Sequence, residues 1–170
     1  AFADYVVVPW RNIVAIPEGM SFATAALTEP LAVAYHAVGI AQHILGRPFT
    51  SVRIAVLGGG AIGLLTALVL ISQGAREVLI AEPNEGRRRA AAVVSDRISP
   101  YAPGDEPAAD SVDLIFDAVG AKATREVAFR LARRGAVIIH SGLMPGSEGV
   151  DVRRLTLREL TFAGAYCYSM

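Results

Sequence analysis

A doubly wound α/β domain, with an open, mostly parallel sheet and helices on both faces, is the fold this sequence predicts, and three observations carry it. Short apolar runs rich in β-branched residues recur between stretches of helical periodicity, the mark of βα repeats whose strands are buried on both faces. At the end of one such run Gly58, Gly60 and Gly63 stand in the spacing GxGxxG. An acid, Glu82, closes the next run roughly twenty residues later. With 170 residues, 53% of them hydrophobic, the chain is long enough for one well-cored domain.

Phe2 to Val8 and Asn12 to Ile16 read as two short strands, broken by Pro9 and closed by Pro17. Phe22 to Leu27 reads as a short helix capped by Ser21. Pro30 suits the first turn of a longer helix with Glu29 at its mouth, and the spacing of Leu31, Val33, Ala34, Val38 and Ile44 carries it to Gly46. Ser51 to Leu57 is the buried strand that enters the glycines, and Ala61 to Gly74 is the helix that leaves them. A strand over Val78 to Ala81 follows, then a helix that begins by Gly86 or Arg87 and a short strand near Arg97 to Ser99. Tyr101 to Asp110, rich in Pro, Gly and acids, reads as a surface loop. Val112 to Phe116 is a buried strand, Ala121 to Arg134 an amphipathic helix stopped by Gly135, and Val137 to His140 the next strand. A loop over Ser141 to Gly149, a short helix over Val152 to Leu157 and a strand over Leu160 to Ala165 complete the pattern.

Ligands of such sheets bind outside the carboxyl ends of the strands, where the strand order reverses. Gly58 to Gly63, Glu82, Ala118 to Gly120 and Ser141 to Leu143 all fall at such ends and should share one crevice. Each part then has a task in holding a dinucleotide. The first glycine allows the turn, the second admits the pyrophosphate to the backbone, and the third lets the helix lie close on the strand. The phosphates would sit on the first amides of the helix, at Ala61, Ile62 and Gly63, with no lysine required. Glu82 would accept from the hydroxyls of the adenine-side ribose and repel a 2′-phosphate, which favours NAD over NADP. Arg87 is placed to reach the adenosine end, or is simply one solvated arginine among three.

Glycine triplets also make plain strand-to-helix turns, and only the surrounding strand, helix and acid argue for the ligand. The uncharged run from Ile54 to Ile71 is no membrane span, because three adjacent glycines break it. His36, on a mostly apolar helix face, reads as a core or interface histidine, and His43 and His140 are scattered, so no metal cluster is local in the sequence. Glu29 reads as an acid favoured by the helix dipole. Sixteen basic residues balance sixteen acidic ones, which leaves no electrostatic footprint for nucleic acid or an anionic membrane. A lone cysteine, Cys167, and the lack of a leading signal segment point to the cytoplasm. An opening residue other than Met and an aromatic-rich close, AYCYSM, suggest part of a longer protein.

The order FADYVVVPWRNIVAIPEGMSFATAALTEPLAVAYHAV, VLGGGAIG, IAEPNEGRR, DAVG and RELTFAGAYCY resembles the medium-chain, zinc-type alcohol dehydrogenases, most closely their sorbitol and polyol branch. The resemblance spans essentially the whole chain. It implies a Rossmann nucleotide-binding domain over 29–165, preceded at 1–28 by a strand remnant and linker of a GroES-like catalytic domain and followed at 166–170 by the start of the return to it. It also implies that Glu29 lies beside a catalytic zinc, that Glu82 holds the ribose, that Arg87 covers the adenine, and that Ala118, Val119, Gly120, Ser141, Gly142 and Leu143 lie near the nicotinamide. The family's other zinc ligands belong to a domain absent here, so zinc is expected in the full-length enzyme and not in this chain. An arginine often stands in polyol dehydrogenases where Cys167 stands, which speaks against a sorbitol-like substrate and leaves Cys167 as a core or interface thiol. The crossover before Val112 lacks the helix usual in the family.

The expected activity of the whole protein is oxidation of a secondary alcohol or polyol by NAD, with this part binding cofactor but turning nothing over. A zinc-free quinone or enoyl reductase and a non-catalytic NAD(H)-sensing module are the competing readings. The strand over Leu160 to Ala165 would be an apolar sheet edge and is expected to pair in a homo-oligomer.

Overall fold

The computed structural model describes residues 3–168. Six parallel strands form one sheet: β1 (Ile54–Leu57), β2 (Val78–Ala81), β3 (Ile98–Tyr101), β4 (Val112–Asp117), β5 (Ala132–His140) and β6 (Thr161–Gly164). Their order is β3-β2-β1-β4-β5-β6, so the order reverses between β1 and β4. Every residue of β1 is buried because the strand feeds two cores. Ile54 and Val56 pack on one face, while Ala55 and Leu57 pack on the other. A continuous apolar run is what such a position requires.

Helices α2 (Thr28–Leu45), α3 (Ala61–Ser72) and α4 (Glu85–Val94) cover the first face, and α5 (Lys122–Leu131) and α6 (Val152–Leu157) cover the second. The four-residue helix α1 (Phe22–Ala25) leads into α2, and the Ser21 hydroxyl caps it by accepting from the Thr24 N–H. Gly46 ends α2 in the left-handed conformation at φ 63°. At the start of β4 Asp113, almost wholly buried, accepts from Arg47 and the Arg53 N–H and pairs with Arg133 at 2.7 Å, which joins the strand to the segments around it. Among the described residues no helix is long and apolar enough to cross a membrane.

Several expectations need correction. Among the described residues no strand forms over 3–16; the segment holds only a 3-10 turn at Trp10–Asn12, with Tyr5, Val7, Trp10 and Val14 exposed. An extended segment becomes a strand only when a neighbour takes its hydrogen bonds, and none of the six strands pairs with this one. Phe2 falls outside the described residues. The predicted helix over Ala121 to Arg134 stops at Leu131, where Ala132 turns to φ −61°, ψ 117° and pairs with Val112 at the start of β5. Pairing with β4 outweighs the helix propensity of the Ala-Arg-Arg stretch. Asn84 caps α4, which starts a residue or two earlier than expected. Tyr101 belongs to β3 rather than to a loop, and Pro100 is accommodated because β3 is an edge. Cys167 is exposed, at φ 49°, so it is not a core thiol.

Candidate functional site

The glycine turn is built by close approach. A Cβ on Gly63 would lie 1.8 Å from the Gly58 carbonyl oxygen, so only a glycine lets α3 start this near the end of β1. Gly58 itself sits at φ 102°, with Val119 Cγ2 only 2.6 Å from where its own Cβ would be. Gly59 abuts Glu82, whose Cβ is 2.9 Å from the position a Cβ would take. Gly60 differs: as the N-cap of α3 it faces open space, and a methyl group there would meet nothing within 4 Å. No side chain caps α3 and no acid lies in its first turn, so the amides of Ala61, Ile62 and Gly63 and the positive end of the helix face that space.

Glu82 follows β2 beside the turn and is 3% exposed. Its Oε2 accepts from the Gly59 N–H at 2.9 Å and its Oε1 from the Asn84 N–H at 2.9 Å. A buried carboxylate is tolerable where donors surround it, and each oxygen keeps a second lone pair. Arg87 is mostly exposed, with Nη1 4.0 Å from Glu82 Oε2, a loose contact in water.

The loops after β4 and β5 join the same crevice. Asp117, with no exposed surface, uses Oδ1 to accept from Val119 N at 3.2 Å and Gly120 N at 2.8 Å. Its main-chain oxygen accepts from the N–H groups of Ser141 and Gly142, and its Oδ2 lies 3.1 Å from His140 Nδ1. Gly120 and Gly142 meet backbone to backbone: a Cβ on Gly142 would fall 2.1 Å from the Val119 carbonyl carbon. Contacts therefore run without a break from Glu82 through Gly59, Gly58, Val119 and Gly120 to Gly142. Ala118 continues this loop, and Ser141 and the exposed Leu143 flank Gly142 at the rim.

Glu29 is not part of this constellation. It is exposed in the first turn of α2, and among the described residues no three His, Cys, Asp or Glu side chains gather to hold a metal ion. The residues present do not fit zinc, which needs four ligands or three with water. Half-buried His36 lines an open apolar groove of about 1000 Å³ along α2 with Leu31, Tyr35, Ile40 and Tyr168, away from the glycine turn. Burial pushes the Tyr101 hydroxyl up to about 12, the nearby Glu106 charge adding to the rise and Arg130 opposing it.

Sequence reasoning missed Gly59, Asp117, His140 and Arg125. The apolar stretch Val112 to Phe116 did hold a clue, since an acid that ends a strand buried on both faces must have partners nearby.

Sheet order and glycine turn together define a Rossmann-type α/β domain. Residues 61–170 match the family described as zinc-binding dehydrogenase, and the chain belongs to that family. It is 32% identical, over 99% of its length and 50% of the relative's, to 2-dehydro-3-deoxy-L-galactonate 5-dehydrogenase of Pseudoalteromonas atlantica. A protein of Sinorhizobium meliloti described as a zinc-binding dehydrogenase, crystallised with NADP, superposes with TM-score 0.83 at 26% identity, over 96% of this chain and 50% of that one. A short chain alcohol dehydrogenase of Escherichia coli complexed with NADH shares the fold at TM-score 0.81 and 24% identity, over 95% of this chain and 48% of that one. The chain spans about half the length of the curated relatives it matches.

Proposed function

We propose that this chain is the nucleotide-binding half of a dehydrogenase that moves hydride between a secondary alcohol or polyol and NAD, and that alone it binds the cofactor without turnover. The observation that carries the reading is the open space before Gly60, bounded by the uncapped start of α3 and by a buried acid. A diphosphate fits there because bare amides and the helix dipole favour an anion. When bound, the dinucleotide supplies the hydride-accepting ring; the protein supplies placement. Gly58, Gly60, Ala61, Ile62 and Gly63 receive the diphosphate. Glu82 takes the adenosine ribose with its remaining lone pairs, and Arg87 covers the adenine. Ala118, Val119, Gly120, Ser141, Gly142 and Leu143 bound the nicotinamide end. Glu29 would adjoin a metal only in the presence of further ligands, and no zinc step is assigned to the residues here.

Relatives of this fold carry either NADP or NADH, so the choice rests on residue 82. Its carboxylate opposes a 2′-phosphate, and titration of the chain should show NAD bound at least about tenfold more tightly than NADP, a modest charge repulsion of roughly 1.4 kcal/mol. NADP bound as tightly as NAD would remove Glu82 from the role.

Self-association through β6 and a cytoplasmic setting belong to the same proposal. The strand ends the sheet and pairs with β5 alone, which leaves its outer hydrogen-bonding edge available. Light scattering should give a dimer or tetramer, at least twice the 17.9 kDa chain mass; a monomer at high concentration would oppose it.

A further inference from the structure

We propose that Arg125 is a positioning residue for the nicotinamide end of the crevice, a statement that rests on the cofactor reading above. Arg125 lies in the first turns of α5, and its side chain is directed back toward the start of the helix. It is 2% exposed. Its Nη1 donates to the Gly120 carbonyl and its Nε to the Glu148 carbonyl, and it forms no ion pair among the described residues. A guanidinium stays charged at any ordinary pH, and burying it without a counter-ion is costly. An apolar side chain would fill the same space without that cost, so packing alone does not account for it.

What the charge accomplishes is visible at Gly120. Buried Asp117 accepts from the Gly120 N–H while Arg125 donates to the Gly120 C=O, so one residue at φ 75° is gripped at both polar groups by opposite charges. The second arm of the guanidinium holds the loop that follows β5. That loop lies directly on α5, since a Cβ on Gly149 would come 2.6 Å from the Lys122 carbonyl oxygen and 3.1 Å from Arg125 Cβ. A planar fork holds two carbonyls on separate loops from a single stem in one fixed geometry, which a flexible ammonium does not impose. Arg125 therefore fixes the spacing of the two loops assigned to the nicotinamide, and it has no place at the glycine turn or at Glu82.

The test compares NADH with ADP-ribose, which carries everything but the nicotinamide ring, on the wild-type chain and on Arg125→Met and Arg125→Lys. Arg125→Met should weaken NADH about tenfold or more, as misplaced contacts do, and abolish the shift in NADH emission on binding. ADP-ribose affinity should stay within about twofold. Arg125→Lys, which keeps the charge but loses the fork, should fall between and carries the comparison should the methionine variant not fold. Equal loss of both ligands, or loss of neither, would overturn the proposal while leaving the cofactor reading intact. A wild-type chain that binds neither ligand would overturn both.

Discussion

Gly63→Ala is expected to lower the melting temperature by roughly 10 °C and to remove cofactor binding, whereas Gly60→Ala, three residues away, should leave stability unchanged and still remove binding. The added methyl on Gly63 lands 1.8 Å from the Gly58 oxygen and 3.3 Å from Val56 Cγ1. The first of these is backbone at the root of the turn and cannot swing aside, so α3 must lift off β1. Overpacking of that kind costs about 3 kcal/mol or more, and each kcal/mol moves the midpoint by about 2–4 °C in a domain of this size. At Gly60 the backbone is at φ −74°, which alanine adopts freely, and the methyl meets no protein atom within 4 Å. Its only effect is on whatever fills the space, and a diphosphate held by short contacts to amides should lose about 100-fold in affinity, near 2.7 kcal/mol. Calorimetric melting paired with NADH titration reads both quantities. A Gly60→Ala chain that binds NADH normally would mean the phosphates lie elsewhere, and a Gly63→Ala chain with the wild-type midpoint would mean α3 is not seated as described.

This pair also marks where the sequence was legible. From β1 to Glu82 every element was readable because each residue answers to a local rule: a strand buried on both faces, a turn that excludes Cβ atoms, a helix, an acid at a strand end. What the GxGxxG spacing hides is Gly59, an unrestricted position in the motif that here must be glycine because Glu82, far along the chain, rests against it. Arg125 was hidden for a similar reason. An arginine in an amphipathic helix ordinarily faces water, and only its placement in one stripe with Ala128 and Phe129 hints otherwise. Its burial comes from a loop folded back over α5, and no periodicity reports that. The strands expected near the start fail from the opposite cause, since alternation and β-branching describe a willing strand but cannot supply its partner.

Glu82→Gln should collapse the preference for NAD over NADP and weaken NAD by about 30-fold or more, since a hydrogen bond to a charged acceptor contributes about 1.5–3 kcal/mol. The same substitution also reaches the protein. Both oxygens already accept backbone amides, from Gly59 and Asn84, and a glutamine must turn its own N–H groups toward one of them. One buried donor then lacks an acceptor, at a cost of about 1–3 kcal/mol in stability. The two effects separate in the ratio of affinities. Loss of the turn's anchor would weaken NAD and NADP alike, because both place the same diphosphate on α3. Loss of the ribose contact weakens NAD, and loss of the negative charge relieves NADP, so the ratio itself must fall toward one. If both affinities drop by the same factor and the ratio holds, Glu82 is a strut of the glycine turn and selects nothing.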